Sequence, residues 1–220
     1  MQRTQFVKPE EIEKRSMEII QKELGERTFP EPEYSVIRRC IHTSADFDYA
    51  DNLYFTPKAV KIGMDALRSG AHIVTDTTMA MAGINKRVLK SFGGEVHCFI
   101  GDEDVAREAK ERGMTRSAVS MDRAALLKEP LIIAVGNAPT ALIRLYDLIQ
   151  EGRICPVLIV AVPVGFVNVV EAKELILTAG IPCIAARGRK GGSNIAAAVI
   201  NAMLYAEAQD HSGTEGSKRI

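Results

Sequence analysis

Five short runs of branched apolar residues recur along the chain, at 71–75 (AHIVT), 96–100 (VHCFI), 131–135 (LIIAV), 157–162 (VLIVAV) and 182–186 (PCIAA). Each is apolar on both faces, which suits a strand covered from both sides, as in a parallel sheet. Stretches with helical spacing separate them, at 103–112, 115–128, 140–151 and 166–179, and an Ala-rich helix is expected at about 193–208. Strand and helix in alternation predict an α/β fold. The expected form is a three-layer α/β/α sandwich around a five-stranded parallel sheet with flavodoxin-like order. The first third of the chain departs from this rhythm. Pro9 suits a helix start, and Glu10 and Glu11 suit its positive end. Ile12, Met17, Ile19, Ile20 and Leu24 give that helix a broad apolar stripe, with Ser16 on its edge. Two more helices are expected, at about 33–42 with Tyr34, Ile37 and Ile41 on the apolar face, and at 57–69. These leading helices are expected to serve as a lid or a dimer contact. The polar Gly/Ser-rich end reads as a flexible tail over 209–220, which leaves one domain over 1–208.

Length and charge narrow the choice of partner. A chain of 220 residues fills one domain and is short for two. With 28 basic and 28 acidic side chains it carries no global field toward nucleic acid or an anionic membrane, so a bound anion must be met by a local cluster of cations. The absence of Trp argues against stacking platforms for single-stranded nucleic acid. Cys40, Cys98, Cys155 and Cys183 are too far apart for a CxxC pair, so neither a metal site nor a disulfide framework is expected. The N-terminal MQRTQFVKPEE has no apolar stretch of signal-peptide type, and no apolar run reaches the length of a membrane span. The expected location is the cytoplasm.

In open parallel sheets, ligands bind beyond the carboxyl ends of the strands. The segments that follow the apolar runs are therefore the places to look for chemistry. They are DTTMAMAGI at 76–84, GNAPT at 136–140, PVGF at 163–166 and RGRKGGS at 187–193. Each opens a helix, whose free N–H groups favour an anion. The last concentrates Arg187, Arg189 and Lys190 among three glycines and Ser193, a composition suited to carboxylate or phosphate. It is not a P-loop, since the GxxxxGK[ST] spacing is absent, and no GxGxxG follows the first strand. A second constellation is Arg38, Arg39, His42 and Asp46, which share one polar side at helical spacings. A histidine can exchange a proton near neutral pH. The neighbouring Arg charges favour the neutral ring and Asp46 the charged one, a balance the sequence leaves open. His72 and His97, in or beside apolar runs, read as satisfied core or edge histidines. Arg116 stands at a helix start, unfavourably placed for the helix dipole, which points to another task.

Taken together, RRCIHTSADFDY, DTTMAMAGI, GMTRSA, GNAPTAL, VPVGFVNVVEAKE and GRKGGSNIAAAVINA resemble the signature blocks of the precorrin-8X methylmutase family, including its cobalt-precorrin-8 branch. The resemblance runs from about Ile12 to Ala206. It implies an isomerase of cobalamin biosynthesis that moves a methyl group between adjacent ring carbons, giving hydrogenobyrinate or cobyrinate. It implies a suprafacial sigmatropic shift in which His42 protonates the macrocycle, with no redox or group-carrying cofactor. It also implies a homodimer with the corrinoid bound near the subunit interface, and no nucleic-acid or membrane partner. A ring bearing many acetate and propionate arms accounts for basic loops on a neutral protein. On this reading Arg39, Arg116, Arg187, Arg189 and Lys190 are carboxylate clamps. Ser16, Thr43, Ser44, Thr77 and Thr78 add hydroxyl contacts, and Met79, Met81 and Phe166 form apolar walls. A non-catalytic carrier of an anionic tetrapyrrole would use the same loops without needing His42, and a phosphate-utilising enzyme is disfavoured by the missing P-loop.

Overall fold

The structure, a computed structural model, describes residues 8–215. The chain opens with α1 (Pro9–Leu24), α2 (Glu33–Ser44) and the short α3 (Tyr49–Asn52), then β1 (Leu53–Phe55) and α4 (Ala59–Arg68). It continues through β2 (His72–Thr75), α5 (Thr78–Gly83), α6 (Lys86–Ser91), β3 (Val96–His97), α7 (Glu103–Arg112) and α8 (Arg116–Ala124). The last part alternates β4 (Leu131–Val135), α9 (Pro139–Gln150), β5 (Leu158–Ala161), α10 (Val169–Leu177), β6 (Cys183–Ala186) and α11 (Ser193–Glu215). The expected tail overlaps the end of α11, and residues 216–220 lie outside the described residues.

One sheet holds all the strands, in the order β1-β6-β5-β4-β2-β3. The expectation of five parallel strands in a flavodoxin-like sheet is corrected in number and direction. The sheet is mixed and has six strands, because β1 pairs antiparallel with β6 along one edge. Three residues are too few to show a period, and Tyr54 in their midst is exposed, so no apolar run marks β1. The apolar runs themselves do form the parallel strands β2 to β6.

Alternation along the strands divides two cores. Ile132, Ala134, Leu158, Val160 and Ile184 face the layer built by α1, α2, α4, α5 and α11. Ile133, Val135, Ile159, Ala161, Cys183 and Ala185 face the layer of α8, α9 and α10. That is why β4, β5 and β6 are apolar at every position: both faces of the sheet are dry there. Each fully buried Ile or Leu contributes about 1.5–3 kcal/mol relative to exposure. The Ala-rich α11 lies against the sheet, with Ile195, Ala196, Val199, Ile200, Met203 and Leu204 all buried. α2 lies along it in the opposite direction. Ser35, Arg38 and Arg39 stand beside Ala202, Tyr205 and Ala206 near its far end, while the turn after α2 meets the segment just before Ser193. From β2 the chain moves outward to β3, then returns to the other side of β2 to make β4. That reversal opens a crevice between the carboxyl ends of β2 and β4, the usual ligand position in such sheets.

Candidate active site

Asp76 follows β2 and spans this crevice. Its carboxylate accepts hydrogen bonds from the backbone N–H groups of Gly136 at 2.8 Å, Asn137 at 2.9 Å and Ala138 at 2.7 Å. Burial pushes the carboxyl up and the three amides pull it back, with burial the stronger. The loop after β4 is thereby tied to the loop after β2. Gly136 also lets α11 start close by, since a Cβ there would fall 2.6 Å from the Cα of Ser193. Thr77 completes the junction. Its hydroxyl shares a 2.7 Å hydrogen bond with Ser193 Oγ and accepts from Ala80 N at the start of α5.

The basic loop after β6 is held from beneath. Lys173, fully buried on α10, donates to the carbonyls of Gly188 at 2.9 Å and Lys190 at 2.8 Å. With no carboxylate beside it, burial lowers its pKa to about 8. Gly191 has φ 158° and packs against the Val162 carbonyl, and Gly192 N donates to that same oxygen at 2.9 Å. On this frame the three cations point to different tasks. Lys190 Nζ reaches both Asp46 Oδ2 and Asp48 Oδ2 at 2.6 Å, and this contact holds the Asp46 carboxyl below the usual range. Arg187 lies over the Tyr54 ring at 4.2 Å and 3.5 Å from Glu174, so it packs on the edge strand. Arg189 lies over the ring of Phe166 at 5.4 Å and forms no ion pair among the described residues.

His42 sits in the last turn of α2, half-buried, and makes no side-chain hydrogen bond or ion pair among the described residues. The turn that carries it is fixed on both sides. Ser44 Oγ donates to Cys40 O at 2.8 Å and accepts from Asp46 N at 3.2 Å, and Ala45 closes the helix in a left-handed conformation. Beyond it, Asp46 and Asp48 are tied to Lys190. The histidine end of α2 is thus brought to the basic loop and to the start of α11. Thr43, next to His42 on α2, and Thr78, at the first position of α5, are exposed. Arg116 opens α8, is exposed and forms no ion pair among the described residues. Thr115 beside it shares a 2.8 Å hydrogen bond with Thr140, in the first turn of the helix that follows the crevice loop. Met79 and Phe166 are 68% and 81% exposed, unusually open for large apolar side chains at the mouth of a polar crevice. Met81 is half-buried on α5.

Two expected contacts point elsewhere within this chain. Arg39 pairs with Glu13 at 2.8 Å and lies over Tyr205 at 5.0 Å, toward α1 and the far end of α11. Ser16 donates to Ile12 O of its own helix at 2.9 Å. Conversely, Asp76, Asp48 and Lys173 hold the site together and were not among the residues singled out by pattern. Lys173 had a legible signal. Val169, Ala172, Lys173 and Ile176 are all buried, so a lysine occupies the apolar stripe of α10.

The precorrin-8X methylmutase family model matches residues 11–206. The chain is 46% identical over 204 residues to the cobalt-precorrin-8 methylmutase of Salmonella typhimurium, covering 90% of this chain and 95% of that protein. It is 42% identical over 205 residues to the Priestia megaterium protein of the same name, covering 91% of each. A crystal structure of precorrin-8X methyl mutase from Thermus thermophilus matches with a TM-score of 0.83 at 36% identity, over 91% of this chain and 98% of that one. Agreement of family model, relatives and fold over nearly the whole chain establishes that it belongs to the precorrin-8X methylmutase family.

Proposed function

We propose that this chain catalyses the methyl migration that converts precorrin-8X to hydrogenobyrinate, or cobalt-precorrin-8 to cobyrinate, in cobalamin biosynthesis. The observation that carries the reading is the placement of His42. Its imidazole has no hydrogen-bond or ion-pair partner among the described residues, on a turn that Lys190 ties to the basic loop. In the proposed reaction one carbon–carbon bond to the methyl group breaks as another forms on the adjacent ring carbon. His42 delivers a proton to the macrocycle. An isomerisation leaves the formula unchanged, so that proton is balanced by one leaving another position. Arg189 and Arg116, both without ion pairs among the described residues, take carboxylate arms, with Arg187 at the rim. Met79 and Phe166 supply apolar walls to the ring. Thr43, Thr77, Thr78 and Ser44 line the approach with hydroxyls, while Arg39 and Ser16 serve the α1 side of α2. The protein's contribution is positioning together with one proton transfer, and the proposal requires no cofactor.

We further assign a homodimer to the working enzyme and the cytoplasm as its location. Among the described residues no helix is long and apolar enough to cross a membrane, and the four cysteines are free. The test is turnover of the corrinoid substrate, with and without cobalt, by His42→Ala and His42→Asn. A placed acid accounts for about 100- to 10,000-fold in rate, so turnover should fall by that factor while corrinoid affinity is largely kept. Near-wild-type turnover in a folded His42→Ala protein overturns the assignment. Corrinoid binding without turnover in the wild type identifies a carrier instead.

A further inference from the structure

A second constellation lies at the opposite end of β2. His72 opens that strand, while Glu95 precedes β3 and His97 ends it. The pairing Ile73↔Val96 and Val74↔His97 sets His72 opposite Glu95, with His97 two residues further on. Strand alternation then turns all three side chains to one face of the sheet. His72 Nδ1 is 2.9 Å from His97 Nε2, and one ligand atom from each of the three residues lies within 4.8 Å of the others. Both rings are half-buried and Glu95 is exposed. His97 is backed by Phe99, at 6.1 Å between ring centroids.

Two imidazole nitrogens facing each other can share one proton at most. A second proton would set two cations side by side. Neutral imidazole is the form that ligates a metal. Zn–N bonds of 2.0–2.1 Å at tetrahedral angles place two ligating nitrogens about 3.3 Å apart, so the pair needs to open by only a few tenths of an ångström.

We infer that His72, Glu95 and His97 form a binding site for one divalent transition-metal ion of the Zn²⁺ class. Two histidines and one carboxylate are a known zinc ligand set, and the exposed Glu95 side leaves room for water at the fourth position. The ion's task is structural. β3 has only two residues and ends the sheet, so a bridge from β2 would clip a short edge strand in place. Four residues of β2 separate the site from the crevice, about 13 Å at ~3.3 Å per residue, too far for an ion to act on substrate there. The inference stands apart from the proposed reaction and can fail without it.

The test uses the full chain, stripped with chelator and titrated with Zn²⁺ by calorimetry and with Co²⁺ by visible absorption. The wild type should bind one equivalent, show the intense bands of tetrahedral Co²⁺, and melt at a higher temperature with Zn²⁺ present. His97→Ala should lose at least about tenfold in affinity, since even groups that only support a ligand are worth that much. His97→Gln, which keeps a hydrogen-bonding group beside His72, should lose the cobalt bands while remaining folded by circular dichroism. No binding by the stripped wild type overturns the site. So does equal affinity in the folded variants, or a thiolate charge-transfer band placing the ion on Cys155.

Discussion

Lys173 carries an ammonium group into the stripe where α10 buries Val169, Ala172 and Ile176. Its two hydrogen bonds run to carbonyls, which meet two of its three N–H groups but do not neutralise the charge. Burial therefore disfavours the charged form, and the group's pKa falls from 10.5 to about 8 on folding. Between those values the unfolded chain binds more protons than the folded one, so this group makes stability rise with pH across that window. Below about pH 8 the full cost of the buried charge is present. We expect Lys173→Met to remove that rise. Urea unfolding of both proteins at several pH values should show the wild type gaining on the variant from about pH 8 to 10.5. Parallel curves would mean that Lys173 titrates at its ordinary value. Asp76 illustrates the same logic with the opposite charge: the carboxylate is tolerated in the interior because three amides meet it.

At the scale of elements, the basic loop after β6 combines two separable tasks. Lys190 joins this loop to the end of α2 through Asp46 and Asp48, whereas the Arg189 guanidinium lies over the Phe166 ring and forms no ion pair among the described residues. Their replacements should therefore behave differently. Arg189→Ala removes a charge-assisted contact to a ligand carboxylate, about 1.5–3 kcal/mol or roughly 10- to 100-fold in corrinoid affinity, and the dependence of binding on salt should flatten. Lys190→Ala leaves two aspartates facing each other beside the turn that carries His42. We expect it to lower kcat more than it raises KM. Steady-state kinetics on both variants decide the matter, and equal effects on KM would place both side chains on the substrate. The same loop shows where pattern stops. RGRKGGS announced an anion site, but whether each cation meets a ligand or a neighbouring element depends on side chains far away in sequence. Asp46 lies 144 residues from Lys190.

At the scale of the whole molecule, large apolar side chains stand exposed at the crevice mouth. Phe166 and Val167 are 81% and 76% exposed, with Val164 beside them on the segment leading into α10 and Val170 in its first turn. A monomer rarely leaves such side chains together in water unless a ligand or partner covers them. The proposed dimer predicts a species of twice the 24.0 kDa chain mass in light scattering at micromolar concentration. A single 24.0 kDa species throughout that range would count against it.

The local pattern of this chain determined the layered α/β architecture, because a strand buried on both faces must be apolar at successive positions, as β4, β5 and β6 are. It also singled out the loops on which the proposed chemistry rests, since helix starts after parallel strands concentrate glycine and charge. Tertiary structure alone decided the rest. β1 is three residues held by pairing with β6, and its own residues carry no period. Lys190 pairs with Asp46 and Asp48, Arg39 with Glu13, and His72 with His97. Each of these pairings is set by which elements the fold lays side by side. A side chain's type states what it can bond, and the packing of distant elements selects the one partner within reach.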